Sequence, residues 1–479
     1  MNAELTVKKH RPRREKPKMN MTEGPLFGKI VRYSIPLILT GILSLLYNAA
    51  DLIVVGNFAG SEALAAVSST GSLNTLIVNA LMGLSIGSSV IAAQHFGARE
   101  EEDVKRVLHT SVITAFFGGF IIMAVGLLFS RTFLAWMDTD VAVLDSAALY
   151  MNIIFIGAPA NLVYNYCASI LRASGDTKRP LIFLSISGIV NVLLNLLLVI
   201  VFHMSVAGVA VATITSQYLS AAIILFYLSR QEGALRFSFK DLHFDPATFK
   251  RIILVGIPYV IQGSLFSISN VMIQSSINSF GAVVVAGNGA GSNIEGFIYT
   301  SMNAIYQATL TFTGQNVGAK KPDRVLRTLG ASLLVVLLVW CVVGGLALLF
   351  REPLVSLYVN ADDPDFDAVV ASGVERMGYI GACYFLCGMM EVLVGSLRGM
   401  GKTLGPAIIS LLGACGLRVI WIYTIFDYFF EHRFDEAIGV LYLSYPVSWI
   451  ITGAVQLVMC LVAYKQFKKR VNAMPREGL

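Results

Sequence analysis

Long apolar runs alternate with short polar segments along almost the whole chain. A bilayer core of about 30 Å needs roughly 20 apolar residues per helix. That window predicts twelve spans, near 31–55, 63–94, 107–129, 147–170, 181–202, 207–229, 252–277, 282–313, 326–349, 376–396, 406–427 and 437–463. The runs lack the strict apolar/polar alternation of barrel strands. The expected fold class is therefore all-α integral membrane.

Composition agrees: of 479 residues, 56% are hydrophobic and 14% charged, with a mean hydropathy of +0.69. Charge placement then tests the helix count, because Lys and Arg gather on the inner side of a membrane protein. With the N-terminus inside, 31 of the 36 Lys and Arg fall in inner segments. The outer loops receive Arg131, Arg351, Arg376 and Arg433, and Arg418 lies within a span. A miscounted helix would invert every later loop and destroy this bias. Both termini are thus expected in the cytoplasm of a prokaryotic cell, with the chain multi-pass in the plasma membrane. Residues 1–24 are basic, with no short apolar run and cleavage site behind them. They are expected to be a topogenic tail, with no nucleic acid as partner.

The sequence also repeats. LRASGDTKRP at 171–180 answers LRGMGKTLGP at 397–406, and FGKIVRYSIP at 27–36 answers FKRIILVGIP at 249–258. QHFGA at 94–98 answers QNVGA at 315–319, and RVLHT at 106–110 answers RVLRT at 324–328. The offsets stay between 218 and 226. An even number of helices per half gives both halves one orientation, a parallel repeat about an axis along the membrane normal. The expected layout is a tail (1–24), an N-lobe of six helices (25–229), a cytoplasmic linker (230–248), a C-lobe of six helices (249–464) and a basic tail (465–479). Two such bundles around a cleft suit alternating access.

Ionisable residues inside a membrane are costly and generally face an interior with a task. Four lie within the expected spans: Asp51, Glu295, Glu391 and Arg418. Tyr47, Asn48 and Asp51 share one helical face, and Asn191 shares one with Asn195. A carboxylate among amide and hydroxyl oxygens can hold a proton or, transiently, Na⁺. Arg418 reads as a counter-ion or an inter-helix link. Cys383 and Cys387 sit one turn apart but lack further soft ligands, so no metal site is expected. There is no HExxH motif and no nucleophile–base pattern, so an enzyme is not expected.

Several stretches together resemble one family. They are YNAADLIVVGNFAGSEALAAV (47–67), GLSIGSSVIAAQHFGA (83–98), ILRASGDTKRP (170–180), VAGVAVATITSQ (206–217), GQNVGAKKPDRV (314–325) and MEVLVGSLRGMGKTLGP (390–406). The chain is similar, over about 25–470, to the multidrug and toxic compound extrusion (MATE) transporters. The resemblance implies two six-helix lobes in a V and export of organic, often cationic, drugs in exchange for H⁺ or Na⁺, with no cofactor.

Carried over residue by residue, the family's cation site falls on Asp51, Asn191 and Thr213. The acid of the sodium-binding branch falls on Asn195, which lowers the site charge by one. The seventh-helix Glu of another branch falls on Phe266. Glu295 and Glu391 resemble a bacterial subgroup with acids on the eighth and tenth helices. Tyr47, Met272, Tyr299, Met302 and Tyr306 are candidates for the walls of a drug cavity. A monomer working on small organic molecules within the lipid bilayer is expected. A lipid-linked oligosaccharide flippase of the same superfamily is the alternative, disfavoured because Arg418 is read as the lone cation inside the spans.

Overall fold

A computed structural model describes residues 19–137 and 139–474. Its described residues form twelve long helical segments joined by turns, two short helices and one longer linker. The first six are α1 (Leu26–Phe58), α2 (Gly71–Ala98), α3 (Glu101–Trp136), α4 (Val141–Ile156 with Ala158–Ala173), α5 (Lys178–Val201) and α6 (Ser205–Ser229). The second six are α7 (Pro246–Asn278), α8 (Ala282–Gly318), α9 (Pro322–Leu349), α10 (Phe366–Gly399), α11 (Leu404–His432) and α12 (Phe434–Asn472). Nine of them are long and apolar enough to cross a bilayer, and α4 qualifies as a pair bent by 47°. The other two, α2 and α8, are diluted by Gly, Ser, Thr and Asn. Several of these small residues, among them Gly83, Gly87, Gly97, Gly287 and Gly318, lie against neighbouring helices, where they allow close approach.

The ends differ in places from the expected spans. A separate short helix, Ser61–Ser69, precedes α2, so the second span starts at Gly71 rather than near 63. The expected C-terminal tail is helical as far as Asn472, where α12 ends, and its residues 475–479 lie outside the described residues. Residues 1–18 of the expected basic tail lie outside the described residues, but 19–24 do not dangle. Met21 is fully buried, and its carbonyl accepts from Asn316 Nδ2 (3.3 Å) and Arg324 Nη2 (3.1 Å). The linker is likewise docked: Leu235 and Phe237 are buried in the core of the first half. It closes on α7 through Asp245, which accepts from Thr248 N at 2.9 Å as an N-cap with Pro246 next in line.

The sequence repeat is a backbone repeat. Three pairs of positive-φ residues recur at matching places: Gly60 (90°) with Gly281 (90°), Arg99 (61°) with Lys320 (54°), and Gly175 (95°) with Gly401 (80°). Gly175 and Gly401 close the two LRxxG motifs in a conformation that a side chain would strain.

The halves meet mainly where α1 and α2 pack on α7 and α8. Here the repeated QxxGA motifs interlock about the pseudo-twofold axis. A Cβ on Gly97 would stand 1.8 Å from the Gln315 carbonyl oxygen, and one on Gly318 would stand 1.8 Å from that of Gln94. The glutamine side chains cross reciprocally. Gln94 Nε2 donates to the Gly399 carbonyl (3.1 Å), and Gln315 Nε2 donates to the Ala173 carbonyl (2.7 Å). Each glutamine therefore grips the opposite half's LRxxG turn. This clasp lies at the end of the molecule where the described chain starts and stops, next to the buried Met21 and the Lys468–Asp323 contact (3.0 Å).

Candidate functional site

In the first half, α1, α5 and α6 bring four of the expected residues together. Asn195 Nδ2 donates to Asp51 Oδ1. Asn195 also faces Asn191 Oδ1 (3.5 Å), and Asn191 Nδ2 donates to Thr213 Oγ1 (3.4 Å). Asn191 and Asn195 are buried, and the Asn195 side-chain oxygen, Oδ1, has no hydrogen-bond partner among the described residues. The one-turn spacing of the asparagines on α5 makes this possible. Immediately after Asn195 the helix widens into a π turn, Leu197–Val201, a local irregularity common at functional sites. The cluster is a carboxylate beside a spare amide oxygen and a hydroxyl, a donor set that fits a proton or a small hard cation.

Tyr47 and Asn48 stand outside this cluster. The Tyr47 ring packs on Gly188, and its hydroxyl faces the Ser185 carbonyl at 3.4 Å, tying α1 to α5. Asn48 is exposed.

The second half encloses a chamber of about 490 Å³ whose wall includes Tyr259, Glu295, Tyr299, Arg376, Glu391 and Arg418. Two corrections follow. Arg376 is not in an outer loop: it is 5% exposed and pairs with Glu295 at 2.8 Å. It also donates to Asn288 Oδ1. The reason is that α10 begins at Phe366, ten residues before the expected span, so Arg376 lies a few turns inside the helix. Arg418 is also not the lone cation within the helices. Arg398 is 1% exposed and donates to Tyr306 Oη and Gln262 Oε1, both at 2.6 Å. Arg172 donates to Gln307 Oε1 at 2.9 Å across the two halves.

The drug-wall candidates divide. Tyr299 lines the chamber. Tyr306 lines a smaller cavity of about 70 Å³ between the halves, with Tyr33 and Arg172. Met302 is 2% exposed in the apolar core, its sulfur against Gly388, and Met272 packs against a second apolar cluster. Neither methionine lines the chamber, because helical spacing alone does not separate a core face from a cavity face. Among the described residues the cysteines are free thiols.

This is a twofold-repeated helical frame with a polar cluster in one half and a charged chamber in the other. The MatE family model matches residues 36–197 and 258–424, once in each half. The chain belongs to the MatE family. It is a multi-pass membrane transporter of bacterial type, not an enzyme. It is 25% identical to the Probable multidrug resistance protein YoeA of Bacillus subtilis (strain 168), over 92% of this chain and 94% of the relative. It is 27% identical to the Probable multidrug resistance protein YpnP of the same organism, over 83% of this chain and 88% of the relative. Among solved structures, the outward-facing conformation of a multidrug resistance MATE family transporter of the MOP superfamily superposes with a TM-score of 0.85. That match has 20% identity and covers 94% of this chain and 98% of the other. The MatE transporter thus has the twelve-helix, two-lobe architecture expected from its sequence.

Proposed function

We propose that this transporter exports organic compounds from the cell in exchange for H⁺ or Na⁺, with Asp51 as the coupling carboxylate. The observation that carries the reading is the Asp51–Asn195–Asn191–Thr213 cluster, with an Asn195 Oδ1 that has no hydrogen-bond partner among the described residues. An entering cation would be held by Asp51, and the Asn195 oxygen would turn to it. Its arrival or departure would alter how α1 packs on α5 and α6. Because α1 also packs on α8 of the other half, that change has a path to the interface between the lobes. The names of the relatives YoeA and YpnP support drugs as the exported class. Two rocking lobes, residues 25–229 and 249–464, acting as a monomer in the plasma membrane, supply the alternating access. The end where the described chain starts and stops is cytoplasmic, in keeping with the Lys and Arg bias.

The driving force is adequate. One charge crossing about 150 mV contributes roughly 3.5 kcal/mol, scaled from about 2.3 per 100 mV. Ethidium efflux from energised cells tests the reading. Wild-type cells should export the dye, and Asp51→Asn should not. Repeating the assay without Na⁺, and after collapse of the pH gradient, identifies the coupling ion. Absence of efflux from wild-type cells, or full efflux from Asp51→Asn, would sink the proposal.

A further inference from the structure

The wall of the chamber in the second half carries Glu295, Glu391, Arg376 and Arg418, and a third arginine, Arg398, packs against it through Gln262 and Tyr259. Glu295 is taken by Arg376 at 2.8 Å. Arg398 is held by Tyr306 and Gln262, lies 4.6 Å from the Tyr259 ring centre, and feels the charge of Glu391, which also lines the chamber, with no ion pair between them among the described residues. Arg418 is left over. It is 3% exposed, its Nε donates to Ser448 Oγ at 2.9 Å, and it pairs with no carboxylate among the described residues. Its guanidinium lies 4.1 Å from the Tyr445 ring centre and 5.7 Å from that of Trp449. Two terminal nitrogens therefore belong to a cation fixed in orientation by one hydrogen bond and two rings. The backbone bearing it is also distinctive, because π turns at Leu411–Gly416 and Ile422–Phe426 flank Arg418 on both sides.

A buried cation without a counter-charge is expensive. Rings offset part of that cost, but the planar fork of a guanidinium is best matched by a carboxylate, sulfonate or phosphate. Tyr445, Trp449 and Tyr384 share the chamber wall with Arg418, and a volume of about 490 Å³ suits a molecule of drug size. We propose that the chamber takes an aromatic organic anion, its acidic group on Arg418 and its ring against Tyr445, Trp449 and Tyr384. The proposal rests on the export reading and names a substrate class for it.

Equilibrium dialysis of the purified full chain against empty micelles tests the idea with two probes of one shape, anthracenecarboxylate and neutral anthracenemethanol. The wild type should hold the anion about tenfold more tightly than the alcohol, since hydrogen bonds to charged groups are the strong ones. Arg418→Gln should erase that preference and leave the alcohol's affinity unchanged. Arg418→Lys keeps the charge but loses the fork, so it should reduce the preference several-fold. This second variant carries the test if the first does not purify as a folded protein. Equal affinities, no binding by the wild type, or a preference untouched in either variant would overturn the proposal. Ethidium efflux by wild-type cells is scored separately. Efflux without anion preference removes only the substrate class, whereas anion preference without efflux of either ethidium or anthracenecarboxylate removes the export reading.

Discussion

Adding one methyl group to Gly97 should jam the clasp between the halves. A Cβ there would sit 1.8 Å from the Gln315 carbonyl oxygen, 2.6 Å from its carbon and 2.7 Å from the Gln315 Cα. All three are main-chain atoms, so no side chain can swing aside. Ordinary contact lies near 3.4 Å, so α2 and α8 must separate by about 1.5 Å. That movement stretches the Gln94–Gly399 and Gln315–Ala173 hydrogen bonds, now 3.1 and 2.7 Å, beyond useful range. Overpacking costs about 1–3 kcal/mol, and each lost hydrogen bond adds about 1 kcal/mol. The clasped state should therefore lose about 3–5 kcal/mol, more than a hundredfold in population at 1.4 kcal/mol per factor of ten. Gly318→Ala should behave the same way, because its Cβ meets the Gln94 carbonyl at 1.8 Å. Spin labels on exposed Glu101 and Lys402 report the separation of the two halves by electron–electron distance measurement. Both variants should show longer distances and lose ethidium efflux. Gly330→Ala is the control, since a Cβ there meets nothing within 4 Å. Wild-type distances with full efflux in Gly97→Ala would refute the reasoning.

Other outcomes follow from the same contacts. Arg376→Gln strands Glu295 in a buried site and should destabilise the protein by about 3–5 kcal/mol. The double variant with Glu295→Gln should recover part of that loss in a thermal melt, and a double variant less stable than Arg376→Gln would contradict it. Asn195→Asp adds a second carboxylate beside Asp51 and should make dye efflux more dependent on Na⁺, as measured by efflux across a sodium titration. Outside the membrane, the hydrogen bond from Thr248 holds the Asp245 carboxyl below its ordinary range. A depressed carboxylate stabilises the fold above its unfolded pKa, and the effect is lost as pH falls through the folded one. Amide exchange at Thr248 and Phe249 should therefore quicken in strong acid, and Asp245→Ala should quicken it at neutral pH. No change in exchange in that variant would exclude the cap.

The scaffold was readable because both of its signals are local: runs of about 20 apolar residues, and motifs recurring at one offset. Asp51, Asn191 and Asn195 were readable as candidates too, since a lone acid in an apolar run and amides one turn apart mark themselves, whereas Thr213 came only from the family resemblance. Arg376 was missed for a physical reason. A hydropathy window counts an arginine as solvent-seeking and has no means of crediting the glutamate 81 positions earlier that neutralises it. A signal was present all the same, because Glu295 within a span requires a partner, and that requirement pointed to an arginine on a neighbouring helix. Met302 shows the converse limit. Its helical phase is the same whether the face meets a core or a cavity, and only packing against Gly388 decides.

The reciprocal grip of Gln94 on Gly399 and Gln315 on Ala173 also bears on how such a protein could arise. In a parallel pair of identical six-helix halves, each subunit would offer one glutamine and one LRxxG carbonyl. The two bonds would then close by symmetry as a self-complementary dimer interface. Fusing the copies preserves that interface while freeing each half from identity with the other. One copy could then keep a carboxylate cluster while the other acquired a chamber rich in arginine, and no single substitution would any longer be imposed twice.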